Sequence, residues 1–283
     1  MKKVNMIVDV ARCHDCNNCF LSCKDEHWDN EHLPYAAAQP RLGQKWRDVL
    51  YVERGQYPLQ DVCSLSYACM HCDDPFCMKA AKDGAVYKRE DGIVIIDPVK
   101  AKGQKQIVDA CPYKAIYWNE ESQLPQKCTM CAHLLDSGEW KEPRCSFACP
   151  TGSLTFSYAT DEEMAERVKA EELEYFHPEF GTKPRVWYKN LFRFTKCHVA
   201  GSVELHDKKE CADRASVTLT NIASKQTWSA STNNYGDFKF DRLAAGSGAY
   251  TVTVEYPGYS SQTREVDVQE SKNVGVFYLN PCS

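Results

Sequence analysis

Long apolar runs are missing from this 283-residue sequence. No stretch approaches the roughly 20 apolar residues of a membrane-spanning helix, and Cys13 comes before any apolar run of signal-peptide length. An excess of positive charge is also missing, because the formal net charge is -5. We therefore expect a soluble chain without a leader, and we exclude nucleic acid as a partner.

Motifs for catalysis are missing as well. No phosphate-binding loop or dinucleotide fingerprint follows a strand-like segment, and no nucleophile, base and orienting group occur together as a motif. We therefore predict that the chain is not catalytic by itself.

Cysteine is abundant, with 16 residues, of which 13 lie before residue 150. A chain of this length can bury a core without disulfide bonds, so clustered thiols indicate metal binding. Zinc knuckles need two cysteines each, whereas runs with repeated spacings of two residues are typical of cubane 4Fe-4S clusters. Cys111 and Cys149 precede prolines, as the last ligands of ferredoxin motifs often do.

Twelve cysteines have cluster-type spacing, and each cubane takes four thiolates, so the sequence predicts three clusters with no ligand left over. The predicted ligands are Cys13, Cys16, Cys19, Cys23, Cys69, Cys72, Cys77, Cys111, Cys128, Cys131, Cys145 and Cys149.

Other candidate ligands are assigned simpler roles. Cys211 and Cys282 lack metal spacing and are predicted to be ordinary thiols, whereas Cys63 is the strongest candidate for an additional ligand because it lies close to Cys69. His71 and His133 adjoin predicted ligands, and we interpret them as hydrogen-bond donors or packed rings.

The order of the chain predicts two domains and a connector. Residues 1–158 are rich in cysteine and interrupted by proline and glycine, which is typical of a loop-rich domain organised around cofactors. In the connector, 159–198, Thr160 and Glu163 predict a capping box and a helix to about Phe176. An aromatic and basic strap, 180–196, follows and packs against either the first domain or a partner protein.

Residues 199–283 alternate between apolar and polar side chains, and turn residues separate the alternating segments. This pattern predicts an antiparallel β-sandwich or barrel of about seven strands. Docking or stabilisation of a complex is the function that we expect for this domain.

The cysteine motifs resemble those of the four-cluster ferredoxin-like small subunits of molybdopterin oxidoreductases in the dimethylsulfoxide-reductase superfamily. The resemblance implies an α+β ferredoxin-like domain before the all-β domain. It also implies that the first three cysteines of one motif share a cluster with the last cysteine of another. The implied sets are Cys13, Cys16, Cys19 with Cys149; Cys128, Cys131, Cys145 with Cys23; and Cys69, Cys72, Cys77 with Cys111.

The fourth cluster of that family lacks all its ligands here. By spacing, the corresponding positions are Ala81, Ala101, Gln104 and Ile107. In the family this cluster lies at the far end of the electron-transfer line, where electrons commonly pass to a membrane haem or quinone subunit. The resemblance therefore implies that no membrane subunit is present.

A more specific resemblance is to the small subunits of the pyrogallol-phloroglucinol transhydroxylase family, which have three clusters and a C-terminal β-domain. It spans essentially the whole chain and is carried by several strings. These are Asp15 to Cys19, Arg89 to Val94, Lys127 to Asp136, Gly181 to Val186 and Gly236 to Asp241.

This resemblance implies a cytoplasmic heterodimer with a large catalytic subunit. The partner alone would hold molybdopterin guanine dinucleotide with molybdenum or tungsten, and it would act on polyhydroxylated aromatics. Alternatives remain: the electron-transfer subunit of a related phenol or catechol hydroxylase or reductive dehydroxylase, a free polyferredoxin, or a protein whose clusters only hold its loops. Periplasmic location is also open, because a partner with a twin-arginine signal can export the complex.

Overall fold

The computed structural model describes residues 1–282. The chain divides into two compact units, Met1–Tyr51 with Ser64–Leu191, and Val52–Cys63 with Phe192–Ser283. This division differs from the predicted one, because 159–191 belong to the first unit and the segment Val52–Cys63 belongs to the second.

Strands form most of the regular structure of residues 1–282. In chain order they are β1 (Lys3–Asp9), β2 (Arg47–Gln56), β3 (Leu59–Ala68), β4 (Val86–Lys88), β5 (Val94–Ile96), β6 (Tyr117–Asn119), β7 (Leu124–Gln126), β8 (Leu154–Ala159), β9 (Val186–Lys189), β10 (Cys197–Leu205), β11 (Glu210–Cys211), β12 (Ser216–Asn221), β13 (Thr227–Ser231), β14 (Asp237–Leu243), β15 (Ala249–Glu255), β16 (Gln262–Asp267) and β17 (Lys272–Leu279).

The helices are short, and most lie in the first unit. They are α1 (Asn18–His27), α2 (Phe76–Ala80), α3 (Gln106–Asp109), α4 (Ala132–Ser137), α5 (Arg144–Phe147), α6 (Asp161–Glu171) and α7 (Phe192–Thr195), with 3-10 turns at Val10–Arg12 and Pro178–Phe180.

A three-stranded sheet, in the order β8-β1-β9, crosses the first unit. Its central strand β1 is antiparallel to β8 and parallel to β9. The apolar run Met6-Ile7-Val8 explains the central position, because these side chains are all buried. Strand β9 lies within the aromatic and basic strap, so this part of the strap is a sheet strand of the first unit.

The remaining elements of the first unit are hairpins and helices of about one to three turns. Strand β4 pairs with β5, and β6 pairs with β7. Because the elements are short, much of the backbone runs in loops, and the cysteine motifs lie in these loops and at the helix ends.

The capping box predicted for α6 is confirmed. The Thr160 hydroxyl accepts from the backbone N–H of Glu163, and the Glu163 carboxylate accepts from the backbone N–H of Thr160. The helix ends at Glu171, before the predicted end at about Phe176, because Glu172 adopts a left-handed conformation with φ 52°.

The second unit is rich in β-structure, as predicted. It has two four-stranded sheets, one with β10 between β11 and β14 and also paired with β17, the other in the order β13-β12-β15-β16. Side chains of both sheets form one core that includes Val199, Val217, Phe238, Val252 and Phe277. The predicted strand count of about seven becomes eight, and β10 and β17 pair in parallel, so the domain is not wholly antiparallel.

Arg54 ties the chain segment Val52–Cys63 into the second unit. Its guanidinium bonds to the carboxylates of Asp61 and Asp241 at 2.8 Å and 3.0 Å. Lys239 lies 3.2 Å from the Asp61 carboxylate. Burial raises the pKa of Asp61, but Arg54 and Lys239 outweigh it and lower that pKa to about 2.

Candidate metal centres

Four predicted ligands from both ends of the first unit line one small cavity: Cys13, Cys16, Cys19 and Cys149. We refer to them as the first cysteine group. Ser66 and Thr151 also line this cavity, with their hydroxyls 3.5 Å from Cys19 Sγ and 3.6 Å from Cys149 Sγ. Sequence neighbours alone do not form this site, because Cys149 follows α5 whereas the other three precede or begin α1.

A second cysteine group is fully buried and consists of Cys23, Cys128, Cys131 and Cys145. Cys23 lies in α1, one helical turn after Cys19 of the first group. The thiols close to it are nevertheless those of Cys128 and Cys145. Burial first, and then the neighbouring thiols of the group, raise the pKa of Cys131 well above its ordinary value. Thiols in such a setting bind metal as thiolates, because the metal replaces the proton.

The third cysteine group consists of Cys69, Cys72, Cys77 and Cys111. Burial and the adjacent thiols raise the pKa of Cys72 to about 12, and burial raises that of Cys77 to about 11. Cys77 lies in α2, and Cys111 follows Ala110, the residue that caps the end of α3. The structure thus brings the twelve cysteines into the three sets that the family resemblance implies, while their role as ligands stays a prediction.

Three of the four loops with a spacing of two residues share one backbone feature. The residue before the second cysteine is left-handed in these three, with φ 54° at Asp15, 45° at His71 and 56° at Met130. The backbone N–H of His71 donates to Cys69 Sγ at 3.5 Å, and that of Met130 donates to Cys128 Sγ at 3.3 Å. Such loops turn N–H groups toward sulfur and stabilise negative charge.

Arg47 is buried among thiols of two groups. Its side chain is 2% exposed, its Nη2 lies 3.5 Å from Cys145 Sγ, and its Nε and Nη1 have no hydrogen-bond partner. Burial lowers the pKa of this guanidinium, but nearby cysteines, with Cys145 first, outweigh burial and raise it. A buried guanidinium with unused donors beside thiols fits a negatively charged group bound by those thiols.

These observations agree with the chemistry of an iron-sulfur cluster. Each site offers four thiols, and the second and third groups also have backbone N–H donors to sulfur. The buried Arg47 donors supply the independent indication that an anionic group belongs there.

His71 and His133, the two histidines next to predicted ligands, lie in different surroundings. His71 is fully buried, and its Nδ1 accepts from the backbone N–H of Val94 at 3.1 Å. His133 Nε2 lies 2.9 Å from Glu26 Oε1.

Sequence reasoning missed the cluster of Glu26, His32 and His133, whose possible ligand atoms lie within 4.8 Å of one another. These atoms already have partners: His32 Nε2 contacts the Glu26 carbonyl oxygen at 2.9 Å, and Glu26 Oε2 accepts from Arg144 at 3.0 Å. The cluster is therefore explained as a hydrogen-bond network that connects α1, α4 and α5.

The positions of the missing fourth ligand set are filled by protein. Ala101 and Ile107 are fully buried. The Gln104 side chain accepts from the backbone N–H of Lys82, next to Ala81, and donates to the carbonyl oxygen of Lys100 at 2.8 Å. These contacts leave the Gln104 amide satisfied by backbone groups.

The cysteines outside the motifs lie in the second unit. Cys63 is buried in β3, Cys197 is buried at the start of β10, and Cys211 and Cys282 are exposed.

The buried cations Arg47 and Lys127 were not recognised from the sequence, because isolated basic residues there give no signal of burial.

Among residues 1–282, no helix has the length and apolar character needed to span a membrane.

Comparisons with known proteins define the class. Residues 60–159 match the 4Fe-4S dicluster domain family, and residues 198–277 match the carboxypeptidase regulatory-like domain family. The first unit thus carries an iron-sulfur domain, and a β-rich domain follows it.

Two relatives similar in sequence define the family. The chain is 46% identical over 281 residues to the pyrogallol hydroxytransferase small subunit of Pelobacter acidigallici, covering 99% of this chain and 100% of that protein. It is 32% identical to one of the subunits of tetrathionate reductase from Salmonella typhimurium, covering 66% of this chain and 72% of that protein. The chain belongs to the family of iron-sulfur subunits that includes these two proteins.

Proposed function

We propose that this chain is the electron-transfer subunit of a heteromeric molybdopterin enzyme that acts on polyhydroxylated aromatics. The observation that supports it most is the gathering of twelve cysteines into three groups of four in a chain so similar to a hydroxytransferase small subunit. A bound 4Fe-4S cluster supplies a site that accepts and releases single electrons.

In this proposal each cysteine group binds one 4Fe-4S cluster. The backbone donors at His71 and Met130 hold the ligand thiolates and stabilise their charge. The fourth cysteine of the first group, Cys149, and that of the second group, Cys23, each come from a distant part of the chain. This ferredoxin-like exchange of ligands fixes α1 against α5. Residues 1–158 are assigned to cluster binding and the β-rich unit to stabilising or docking the complex.

The chemistry of the substrate is assigned to a partner. A large catalytic subunit would bind molybdopterin guanine dinucleotide with molybdenum or tungsten, and this chain would be non-catalytic. We propose a cytoplasmic heterodimer or a multimer of it, without a membrane subunit.

Anaerobic purification of the native complex tests the proposal. We expect one large molybdopterin-binding partner per chain, together with about twelve irons and twelve acid-labile sulfides in this subunit. The clusters should be reduced by dithionite and give electron paramagnetic resonance signals. A chain recovered alone would favour a free polyferredoxin, and redox-silent clusters would favour a purely structural role; either result would contradict the proposal.

A further inference from the structure

We infer that Arg47 and Lys127 are two buried cations that raise the reduction potentials of the clusters next to them. This inference rests on the proposed function, because it takes the three cysteine groups as cluster sites. It concerns what sets the potentials, which ligand spacing does not determine.

Arg47 lies between the first and second cysteine groups. Its Nη2 is 3.5 Å from Cys145 Sγ of the second group. Val49, which lies two residues further along β2, lines the cavity of the first group, so this strand adjoins both groups. One fixed positive charge thus acts on two adjacent cluster sites.

Lys127 occupies the corresponding position between the second and third groups. It is 2% exposed, directly precedes Cys128 in the chain, and its Nζ donates to the carbonyl oxygens of Val94 and Cys128. Its acceptor Val94 also donates its backbone N–H to His71 Nδ1, and His71 lies in the loop between Cys69 and Cys72 of the third group.

Neither cation has a carboxylate partner. Within residues 1–282, Arg47 and Lys127 take part in no ion pair with aspartate or glutamate, whereas Arg54 and Arg185, which are also buried, each pair with two carboxylates. A buried cation without a counter-charge carries a large desolvation cost. The thiolates and the cluster they hold are the anions available to offset that cost.

The electrostatic consequence has a definite sign. Reduction adds one electron and makes the thiolate-bound cluster more negative, and a nearby cation inside a protein of low dielectric constant stabilises that added charge. Arg47 and Lys127 therefore favour the reduced form. The second group, which both cations approach, should be affected by both.

Redox titration of the purified complex, followed by electron paramagnetic resonance, tests this inference. The neutral variants are Arg47→Gln and Lys127→Gln, and the matched controls Arg47→Lys and Lys127→Arg keep the charge. Lys141→Gln removes an exposed charge a few residues before Cys145 in the sequence and should shift nothing, because solvent screens it.

For each neutral variant we expect two of three midpoint potentials to fall. At the wild-type midpoint, the ratio of reduced to oxidised cluster should fall at least tenfold, about 59 mV for one electron. The midpoint potential of one cluster should fall in both variants, and that of each other cluster should fall in only one variant. This pattern can be recognised without first assigning each resonance signal to a cluster. The charge-conserving variants should stay within threefold of wild type.

Several results would overturn the inference. Unchanged midpoints in neutral variants with a full iron content would do so, and so would equal shifts in neutral and charge-conserving variants. Loss of clusters in the neutral variants alone would assign the cations to assembly and would also overturn it. A wild-type complex without three reducible clusters would overturn the proposed function as well, whereas unchanged midpoints leave that function intact.

Discussion

The backbone N–H of Val94 donates a hydrogen bond to Nδ1 of His71 over 3.1 Å. Because Nδ1 accepts, the proton of the neutral imidazole lies on Nε2. That Nε2–H donor is buried and has no partner within residues 1–282. Buried donors are almost always satisfied, so an acceptor outside the polypeptide, such as cluster sulfur, belongs next to it.

A pair of substitutions at His71 separates its two nitrogen atoms. His71→Asn keeps an acceptor near Nδ1 for Val94 and tolerates the left-handed backbone, but it removes the Nε2 donor. We expect it to lower the midpoint potential of one cluster, because hydrogen bonds to sulfur favour reduction. His71→Gln can keep the distant donor and should hold the potential closer to wild type. The reverse order of potentials would contradict this assignment.

Replacement of Cys23 tests the crossing of ligands between motifs. Cys23→Ala should remove or convert the cluster of the second group, with a loss of up to about four irons, and leave the first group intact. Iron analysis and electron paramagnetic resonance measure both effects. Cys211→Ala, at an exposed thiol outside the three groups, is the control and should change neither. Damage to the first group would mean that the pairing is wrong.

The spacing of cysteines in the sequence predicted more of the candidate site than of the fold. Spacing identified the twelve cysteines, because ligand spacing reflects local loop geometry. The pairing of Cys23 and Cys149 with distant motifs came from the family resemblance, because local spacing carries no signal for it. Arg47 and Lys127 lack such a local pattern, since distant residues determine their burial.

The β-rich unit illustrates the same limit. Alternation predicted its strands one by one, but alternation describes a single strand and its two faces. The parallel pairing of β10 with β17 joins segments far apart in sequence, and the segment Val52–Cys63 joins this unit through Arg54. Neither contact has a local sequence signal.

The capping box at the start of α6 predicts a local effect on stability. Thr160→Ala removes the side-chain acceptor for the Glu163 N–H and should cost about 1 kcal/mol, so amides in the first turn should exchange about fivefold faster. Hydrogen exchange with mass spectrometry measures this change. Thr160→Ser keeps the hydroxyl and should exchange nearly as wild type does. Equal rates in both variants would contradict the role of the cap.

The Asp61 carboxylate predicts a pH dependence for the β-rich unit. Its pKa is lowered to about 2 in the folded chain, below the unfolded value of about 3.9, so its pairing stabilises the fold above about pH 4. That contribution is lost as the pH falls toward 2.

Asp61→Asn removes the charge and should cost about 1–3 kcal/mol near neutral pH, because the buried Arg54 loses one of its two carboxylate partners. Thermal unfolding followed by the β-sheet circular dichroism of the two proteins gives the difference. This difference should shrink between about pH 4 and pH 2. Asp213→Asn, at an exposed aspartate, is the control. A difference that grows on acidification would contradict the assignment.

The positions of the missing fourth cluster lead to the last prediction. Returning a single thiol through Ala81→Cys should bind no further iron, since a cubane needs four thiolates and the neighbouring volume is occupied. Gln104 is held by backbone groups of Lys82 and Lys100, and Ile107 is fully buried. Opening that space would break satisfied hydrogen bonds and core packing.

Iron analysis of the anaerobic complex measures the outcome, which should stay at about twelve irons per chain. Cys77→Ala checks the sensitivity of the assay, because it removes a proposed ligand and should lower the count by up to about four. A rise in iron for Ala81→Cys would mean that this region still accepts a cluster. The absence of Cys at positions 81, 101, 104 and 107 would then not mark the end of the electron-transfer line in this subunit.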